Sequence, residues 1–546
     1  MKWFQRLTKK PAPRKPDLDK KGRSGSSETP SFTGDLPARP VSPCLENNLN
    51  YLKSILGEQD DIIYRHIRLG GLHNVPACII YIDGLVDSTI LHEGIIKPLM
   101  LLSTPGDCVP GQSNLRNFVL ELALPASNVT EVKDIEKLVA RLLSGEVILL
   151  IEGLDKAMLV DIRKHTERPI IEPPSEVLVR GPREGFTETL QTNITLLRRR
   201  VKDPNLRFES RVIGRATATQ VVLIYINGIV SPQLVAEVNQ RLQRIDVDSI
   251  LDSGYLEEFI EDNPFSPFPQ MLHTERPDRV AGCILEGQVA ILVDGSPFAL
   301  IMPAQLASFI NTPEDYYERY ALTTALRWVR WISFSISLFL PSLYIATTTF
   351  HQEMIPSRLL VSIASYRQGL PFSTLFEALL MEFVFEILRE AGVRLPRAIG
   401  QAVSIAGALV IGQSAVTAGI VSPLMVIVVA ATGIASFTIP TYNMGLTIRL
   451  LRFPLMLLAG TFGLFGIMIG MIMLTIHATN LRSFGTPYLS PLAPLYSRDL
   501  KDILVRAPWW QMKQRPAEYA KTNPHRQAAD MKPGPAQSGH PQGRKR

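Results

Sequence analysis

The chain has 546 residues, room for two or three domains of ordinary size, with 46% hydrophobic and 20% charged residues, a mean hydropathy of +0.11 and a net charge of +6. That hydropathy is too high for an all-soluble protein, and the excess is concentrated between Arg330 and His477. The positive charge collects in two tails, Lys2 to Arg23 and Arg498 to Arg546, which points to anionic lipid headgroups rather than nucleic acid, since no basic-aromatic motif accompanies it.

Residues 1–44 are rich in Pro, Lys, Ser and Gly and are expected to form a disordered basic tail. No apolar signal segment follows Met1, so the front half is expected to stay in the cytoplasm. Cys44, Cys78, Cys108 and Cys283 form no CxxC, and their spacing suggests neither zinc nor a disulfide framework.

The soluble half then repeats itself. Ile79-Ile80-Tyr81-Ile82-Asp83-Gly84 is matched 144 residues on by Leu223-Ile224-Tyr225-Ile226-Asn227-Gly228. The run Val147 to Ile151 with Glu152-Gly153 is matched 142 residues on by Val289 to Val293 with Asp294-Gly295. Each is a buried strand running into a turn. Helical periodicity follows the strand, as in Leu234-Val235-Val238-Leu242. Two duplicated α/β lobes result: the first over residues 45–180, the second over 181–320 together with a linker helix from Glu184 to Arg200.

Residues 321–500 read as an all-α, multi-span membrane domain. Trp331 to Phe350, Ile399 to Val416, Ile420 to Pro440 and Pro454 to Ile476 each approach the ~20 apolar residues a bilayer requires. The last carries Gly460, Gly463, Gly466 and Gly470, a surface suited to close helix contact. Between the first two, Glu382, Glu386 and Glu390 recur on one face of a helix from Phe372 to Arg394. They either line a cation-facing vestibule or pair with Arg389, Arg394 and Arg397 on an interfacial helix. Whether four or five segments span depends on that helix, and the tail, residues 501–546, is read as disordered and cytoplasmic.

One span is informative by face. At 100° per residue Gly400, Ser404, Gly407, Ala408, Gly412 and Ala415 share a small-residue side, opposite Ala402, Ala406, Leu409, Gln413 and Thr417. Gln413 cannot face lipid cheaply, so it either bonds within its own subunit or faces an oligomeric pore in which Leu409 is the hydrophobic constriction. No GxxxxGK, GxGxxG, HExxH or GxSxG is present, so neither an enzyme nor a cofactor or metal site is expected.

Several segments together resemble the A-subunit family of spore germinant receptors (GerA type) of endospore-forming bacteria. They include Arg180-Gly181-Pro182 with Thr192-Asn193, and Ser266-Pro267-Phe268-Pro269-Gln270 leading to Thr274-Glu275-Arg276-Pro277-Asp278. Asp315-Tyr316-Tyr317-Glu318-Arg319, Ala435-Ser436-Phe437-Thr438-Ile439-Pro440 and Phe484-Gly485-Thr486-Pro487-Tyr488 extend the likeness over roughly residues 60–500. The resemblance implies a multi-pass protein of the spore inner membrane with its N-terminal domain in the spore core. It also implies a homo-oligomeric ring conducting ions, a transporter-like B subunit and a lipoprotein C subunit. An accessory channel acting at dipicolinate release and an anchored scaffold are the alternatives. Pro269, Gln270, Glu275, Arg276, Pro277 and Asp278, at the end of the second lobe, either couple lobe motion to the first span or form a rigid structural loop with internal salt bridges.

Overall fold

The computed structural model describes residues 39–57, 59–69, 75–101, 129–163, 172–173, 175–394, 410–519, 523–528 and 531–534. In the front half lie two five-stranded antiparallel sheets. β1 (Ile62–Leu69), β2 (Val75–Ile82), β3 (Val129–Val132), β4 (Val147–Ile151) and β5 (Ala157–Val160) take the order β1-β2-β4-β5-β3. β6 (Leu206–Ile213), β7 (Thr219–Ile226), β8 (Leu272–Thr274), β9 (Val289–Val293) and β10 (Ala299–Met302) take the order β6-β7-β9-β10-β8. The register agrees as well: Ile62 faces Ile82 in lobe 1, and Leu206 faces Ile226 in lobe 2, 144 residues on.

β4 and β9 are apolar throughout because helices cover both faces of each sheet, leaving every side chain of those strands buried. The helix Leu45–Leu56 opens lobe 1 and the helix Leu190–Arg200 opens lobe 2 at the same place. Each is fixed identically. Glu152 accepts the Leu45 N–H at 2.7 Å, and Asp294 accepts the Leu190 N–H at 3.2 Å. The buried amides of Asn48 and Asn193 each bond both backbone groups of the residue six positions earlier, Ser42 and Thr187. The helix expected as a linker is therefore the first element of lobe 2, shortened at its start by the Thr189 N-cap. Residues 39–44 belong to lobe 1 rather than to a disordered tail, with Val41 buried and its N–H bonded to Lys133 O.

Behind the lobes stands a helical region. Among the described residues, two helices, Tyr320–Thr349 and Tyr442–Asn480, are long and apolar enough to cross a membrane, and Pro423–Phe437 is a shorter apolar one. The second long segment is not one rod. Gly463 sits at φ 62°, ψ −141°, outside the helical region, and a Cβ at Gly466 or Gly470 would collide with Leu458 or Leu455. In a straight helix positions 455 and 470 lie ~22 Å apart, so the chain folds back at Gly463 into a hairpin. Its arms, 442–462 and 464–480, measure roughly 31 and 26 Å at 1.5 Å per residue. The stretch 454–476, expected as a single span, is thus the far ends of two arms with the turn at Gly463 between them, and Gly466 and Gly470 let those arms touch.

Both ends of the hairpin return to lobe 2. Thr441 Oγ1 donates to Phe309 O at 3.0 Å, and Ser483 Oγ donates to Gln270 O at 2.6 Å. Phe350 and His351, at the far end of the first long helix, pack on the Gly463 turn. The expected span 420–440 is a 15-residue helix, and most of 399–416 lies outside the described residues.

The tail was expected to be disordered from 501, but residues 501–519 pack on lobe 2. Arg327 forms an ion pair with Asp502 at 3.1 Å, and Arg515 donates to Leu285 O at 2.8 Å. Arg526 reaches Glu286 at 2.5 Å, and Trp509 lies tilted against Tyr316 with ring centroids 5.6 Å apart. Aromatic and guanidinium groups supply the contacts here, which a basic, proline-rich composition does not reveal.

Candidate functional site

Two features of the helical region carry charge or strain toward function. The first is a ladder inside the bundle. The acidic helix, Thr374–Arg394, turns its stripe not to solvent but to the first arm of the hairpin. Glu382, fully buried, pairs with Arg452, whose guanidinium also donates to Ser337 O at 2.9 Å and Ser337 Oγ at 3.1 Å. Glu386 pairs with Arg449 at 2.9 Å. Only Glu390 is exposed, paired with Arg394 at 2.6 Å. An open vestibule of three acids is therefore not what the fold builds: two of the three are neutralised inside, as a buried charge requires. Their partners, Arg449 and Arg452, sit three apart on another helix; Arg389 does not take that role, and Arg397 lies outside the described residues. Arg389 instead donates to Ser436 Oγ at 3.3 Å.

Among the proposed pore residues, Ala402, Ala406 and Leu409 lie outside the described residues. Residues 410–417 are helical; Gly412 is buried while Gln413 and Thr417 are exposed. The Gln413 side chain has no hydrogen-bond partner among the described residues; only its backbone carbonyl accepts, from Thr417 Oγ1 at 2.8 Å.

The second feature is the junction between lobe 2 and the helices. Pro264 to His273 wraps around the lobe-side ends of both hairpin arms. Thr447 Oγ1 donates to Pro267 O at 2.5 Å, Ser266 Oγ meets His477 Nε2 at 2.8 Å, and Asn443 Nδ2 meets His273 Nδ1 at 3.1 Å. Phe268 stacks on His477 with centroids 5.9 Å apart. The buried Gln270 amide closes the loop on Asn263, through N at 2.9 Å and O at 2.6 Å, and Pro269 precedes it half-buried.

The adjoining block anchors the irregular segment that arrives from lobe 1. Arg276 is fully buried, 3.1 Å from Asp278, and donates to Glu176 O at 3.2 Å and Pro182 O at 2.5 Å. Glu275 O accepts from Phe186 N at 2.7 Å, and Pro277 starts the helix Pro277–Leu285, where its missing N–H costs nothing. Of the candidate coupling residues, Gln270 receives the chain just past the hairpin through Ser483, and Arg276 and Asp278 face the segment from lobe 1 and Tyr317; it is their neighbours Ser266, Pro267, Phe268 and His273 that touch the hairpin arms. The first long helix is held instead by Asp315, which pairs with Arg327 at 3.0 Å and Arg330 at 2.6 Å. Burial works against the Asp315 charge, but the hydrogen bond from Arg330 and the Arg327 charge outweigh it and hold the carboxyl below its ordinary range. Burial pushes the Asp502 carboxyl up despite the same arginine. A cleft of about 730 Å³ opens beside this junction, lined by Arg241, Asp262, His477, Arg482 and Glu518 among others.

Comparison with known proteins agrees over nearly the whole chain. The family model of the Bacillus/Clostridium GerA spore germination protein matches residues 50–518. Spore germination protein KA of Bacillus subtilis (strain 168) is 48% identical over 92% of this chain and 91% of its own. Spore germination protein GerLA of Bacillus cereus is 39% identical over 88% and 96%. A crystal structure of the N-terminal domain of the A subunit of the Bacillus megaterium spore germinant receptor GerK3 is 35% identical, with a TM-score of 0.39, over 50% of this chain and 99% of that one.

Proposed function

The chain belongs to the Bacillus/Clostridium GerA family of spore germination proteins, and we propose that it is the A subunit of a nutrient germinant receptor, forming with sister copies an ion conduit in the spore inner membrane. Lobe 2 and the described part of the tail, from Asp502 to Tyr519, both sit at the end of the bundle where Arg327 meets Asp315 and Asp502. On this reading that end is the spore-core side, and the helices pass out and back across the membrane an even number of times. A transporter-like B subunit and a lipoprotein C subunit complete the receptor.

The observation that carries the conduit is the Gln413 amide, exposed on the outer surface of one chain in an apolar segment. Leaving such a group in hydrocarbon costs roughly 4–8 kcal/mol by alkane transfer, so it requires water or a neighbouring copy. A single chain offers no path of its own along the ladder, where the Glu382–Arg452 pair is fully buried. We assign Ala402, Ala406, Leu409, Gln413 and Thr417 to the pore wall and leave Glu390, exposed and paired with Arg394, as the one acid of its stripe placed to face a vestibule. The segment from Pro269 to Asp278 would pass lobe displacement to the hairpin.

Leu409→Ala in protein reconstituted into liposomes should raise the resting ion leak. An unchanged leak removes Leu409 from the gate. No flux under any condition, with the protein correctly inserted, reduces the chain to an anchored scaffold.

A further inference from the structure

The two lobes of one chain meet through non-equivalent surfaces, and the counterpart of each surface is left uncovered. On the lobe 2 side, Gln191, Thr195 and Arg198 line one face of the helix Leu190–Arg200. Gln191 Nε2 donates to Asp83 at 3.0 Å. Arg198, fully buried, bonds Asp61 at 2.7 and 3.1 Å and also reaches Gln59. Thr195 lies against Gly84, whose φ of 80° and close neighbour exclude a side chain.

The equivalent face of the first helix, Leu45–Leu56, is Glu46, Asn50 and Lys53, all exposed. The equivalent corner of lobe 2 is Asp203, Asn205, Asn227 and Gly228. The last three are exposed, and nothing lies within 4 Å of a Cβ at Gly228, which keeps a φ of 84°. The equivalence is set by the backbone: Asp83 N bonds Asp61 O at 2.8 Å as Asn227 N bonds Asn205 O at 2.9 Å.

The uncovered faces are complementary. Where an amide, Gln191, donates to a carboxylate, Asp83, the free faces offer a carboxylate, Glu46, and an amide, Asn227. Where Arg198 meets Gln59 and Asp61, they offer Lys53 and Asp203 with Asn205. Asn50 and Gly228 stand where Thr195 and Gly84 touch.

We propose that copies of this chain join head to tail through these faces, the first helix of one copy docking on the Asp203–Gly228 corner of lobe 2 of the next. Such a contact is heterologous, using different patches on the two partners, and it closes into a ring when the rotation per copy allows. The flanking contacts of the internal junction, Ser210 N to Asp60 and Arg207 to Leu56 O, have His66 and Ile63 at the equivalent positions. The contact between copies is therefore smaller than the contact between lobes and relies on the bundle for the rest of its area.

The proposal rests on the ring reading above, and its test separates the two. Full-length chain with the neighbouring Cys44 replaced by Ser and carrying both Glu46→Cys and Asn227→Cys should give a ladder of disulfide-linked multimers on mild oxidation, absent from either single variant in the same background. Asp83→Cys with Gln191→Cys serves as the intrachain control. Lys53→Glu should lower the linked fraction, and adding Asp203→Lys should restore it. All these positions except Cys44, Asp203 and Gln191 are exposed, and unchanged thermal unfolding checks the fold. An oligomer by native mass with no ladder overturns this interface and leaves the ring standing. A strictly monomeric protein overturns both.

Discussion

Lobes 1 and 2 share a sheet order, a strand register and a buried asparagine at the same place, yet they are built for different loads. Where lobe 1 has Asp134-Ile135-Glu136 at the start of the helix Ile135–Leu142, lobe 2 has Arg276-Pro277-Asp278 at the start of the helix Pro277–Leu285. Asp134 makes a surface pair with Lys137 at 2.7 Å. Arg276 is buried among Asp278 and two backbone carbonyls of the segment arriving from lobe 1. The difference teaches that the scaffold itself carries no message. Lobe 2 carries buried charge where the segment from lobe 1 and the helical region meet it, at Arg276 and Asp315, whereas Asp134, the lobe 1 counterpart of Arg276, keeps a solvated pair.

The largest expected effect tests that contrast directly. Arg276→Ala leaves Asp278 buried with Tyr317 as its remaining partner at 2.6 Å and should destabilise the full chain by ~3–5 kcal/mol, as the loss of one member of a buried pair does. Asp134→Ala should stay within about 0.5 kcal/mol, the range for a surface pair. Denaturant unfolding of the two purified variants decides, and equal losses would erase the distinction between the lobes. Arg276→Glu should also abolish germination through the coupling segment; normal germination at normal protein levels would reduce that segment to a rigid brace.

Much of the lobes was legible in the chain because β-strands announce themselves locally. Tyr81 and Tyr225 sit at matching positions of the second strand of each sheet, and the runs 147–151 and 289–293 are the fully buried central strands. The role of Leu190–Arg200 as the first element of lobe 2 was hidden, because its likeness to Leu45–Leu56 lies in Asn48 and Asn193 rather than in an apolar run. In the helical region, patterning shows which residues share a face but not what the face meets. The spacing of Glu382 and Glu386 was plain, whereas Arg449 and Arg452 come from more than 60 residues away. Gly463 had the composition of a packing surface, and only its backbone angles reveal a turn.

A second prediction tests the likeness instead of the difference. Asn48→Ala and Asn193→Ala each remove one side chain that accepts from and donates to the same upstream residue, Ser42 or Thr187. Both leave two backbone groups without partners, and each should cost about 1–3 kcal/mol. The two losses should agree. A loss confined to Asn193 would mean that only lobe 2 relies on this clasp, and the shared topology would then have outlived its shared energetics.

The smallest effect is a dependence on pH located in lobe 2. On the helix Ser253–Ile260, burial and the nearby charges of Glu261, Glu258 and Asp252 push the Glu257 carboxyl up to about 7. Burial and Glu258 raise Glu261 to about 7 as well. An unfolded glutamate titrates near 4.3, so between about pH 4.5 and 7 the folded chain holds more protons than the unfolded one, and stability falls as pH rises through that window. Above it both states are ionised and the loss is complete. Glu257→Gln keeps the size and removes the charge, so it should flatten the decline in unfolding temperature between pH 5 and 7 and raise it most at pH 7. A decline of unchanged slope would assign the effect to Glu261 alone, and a rise with pH would mean these acids are better solvated in the folded lobe than their surroundings allow.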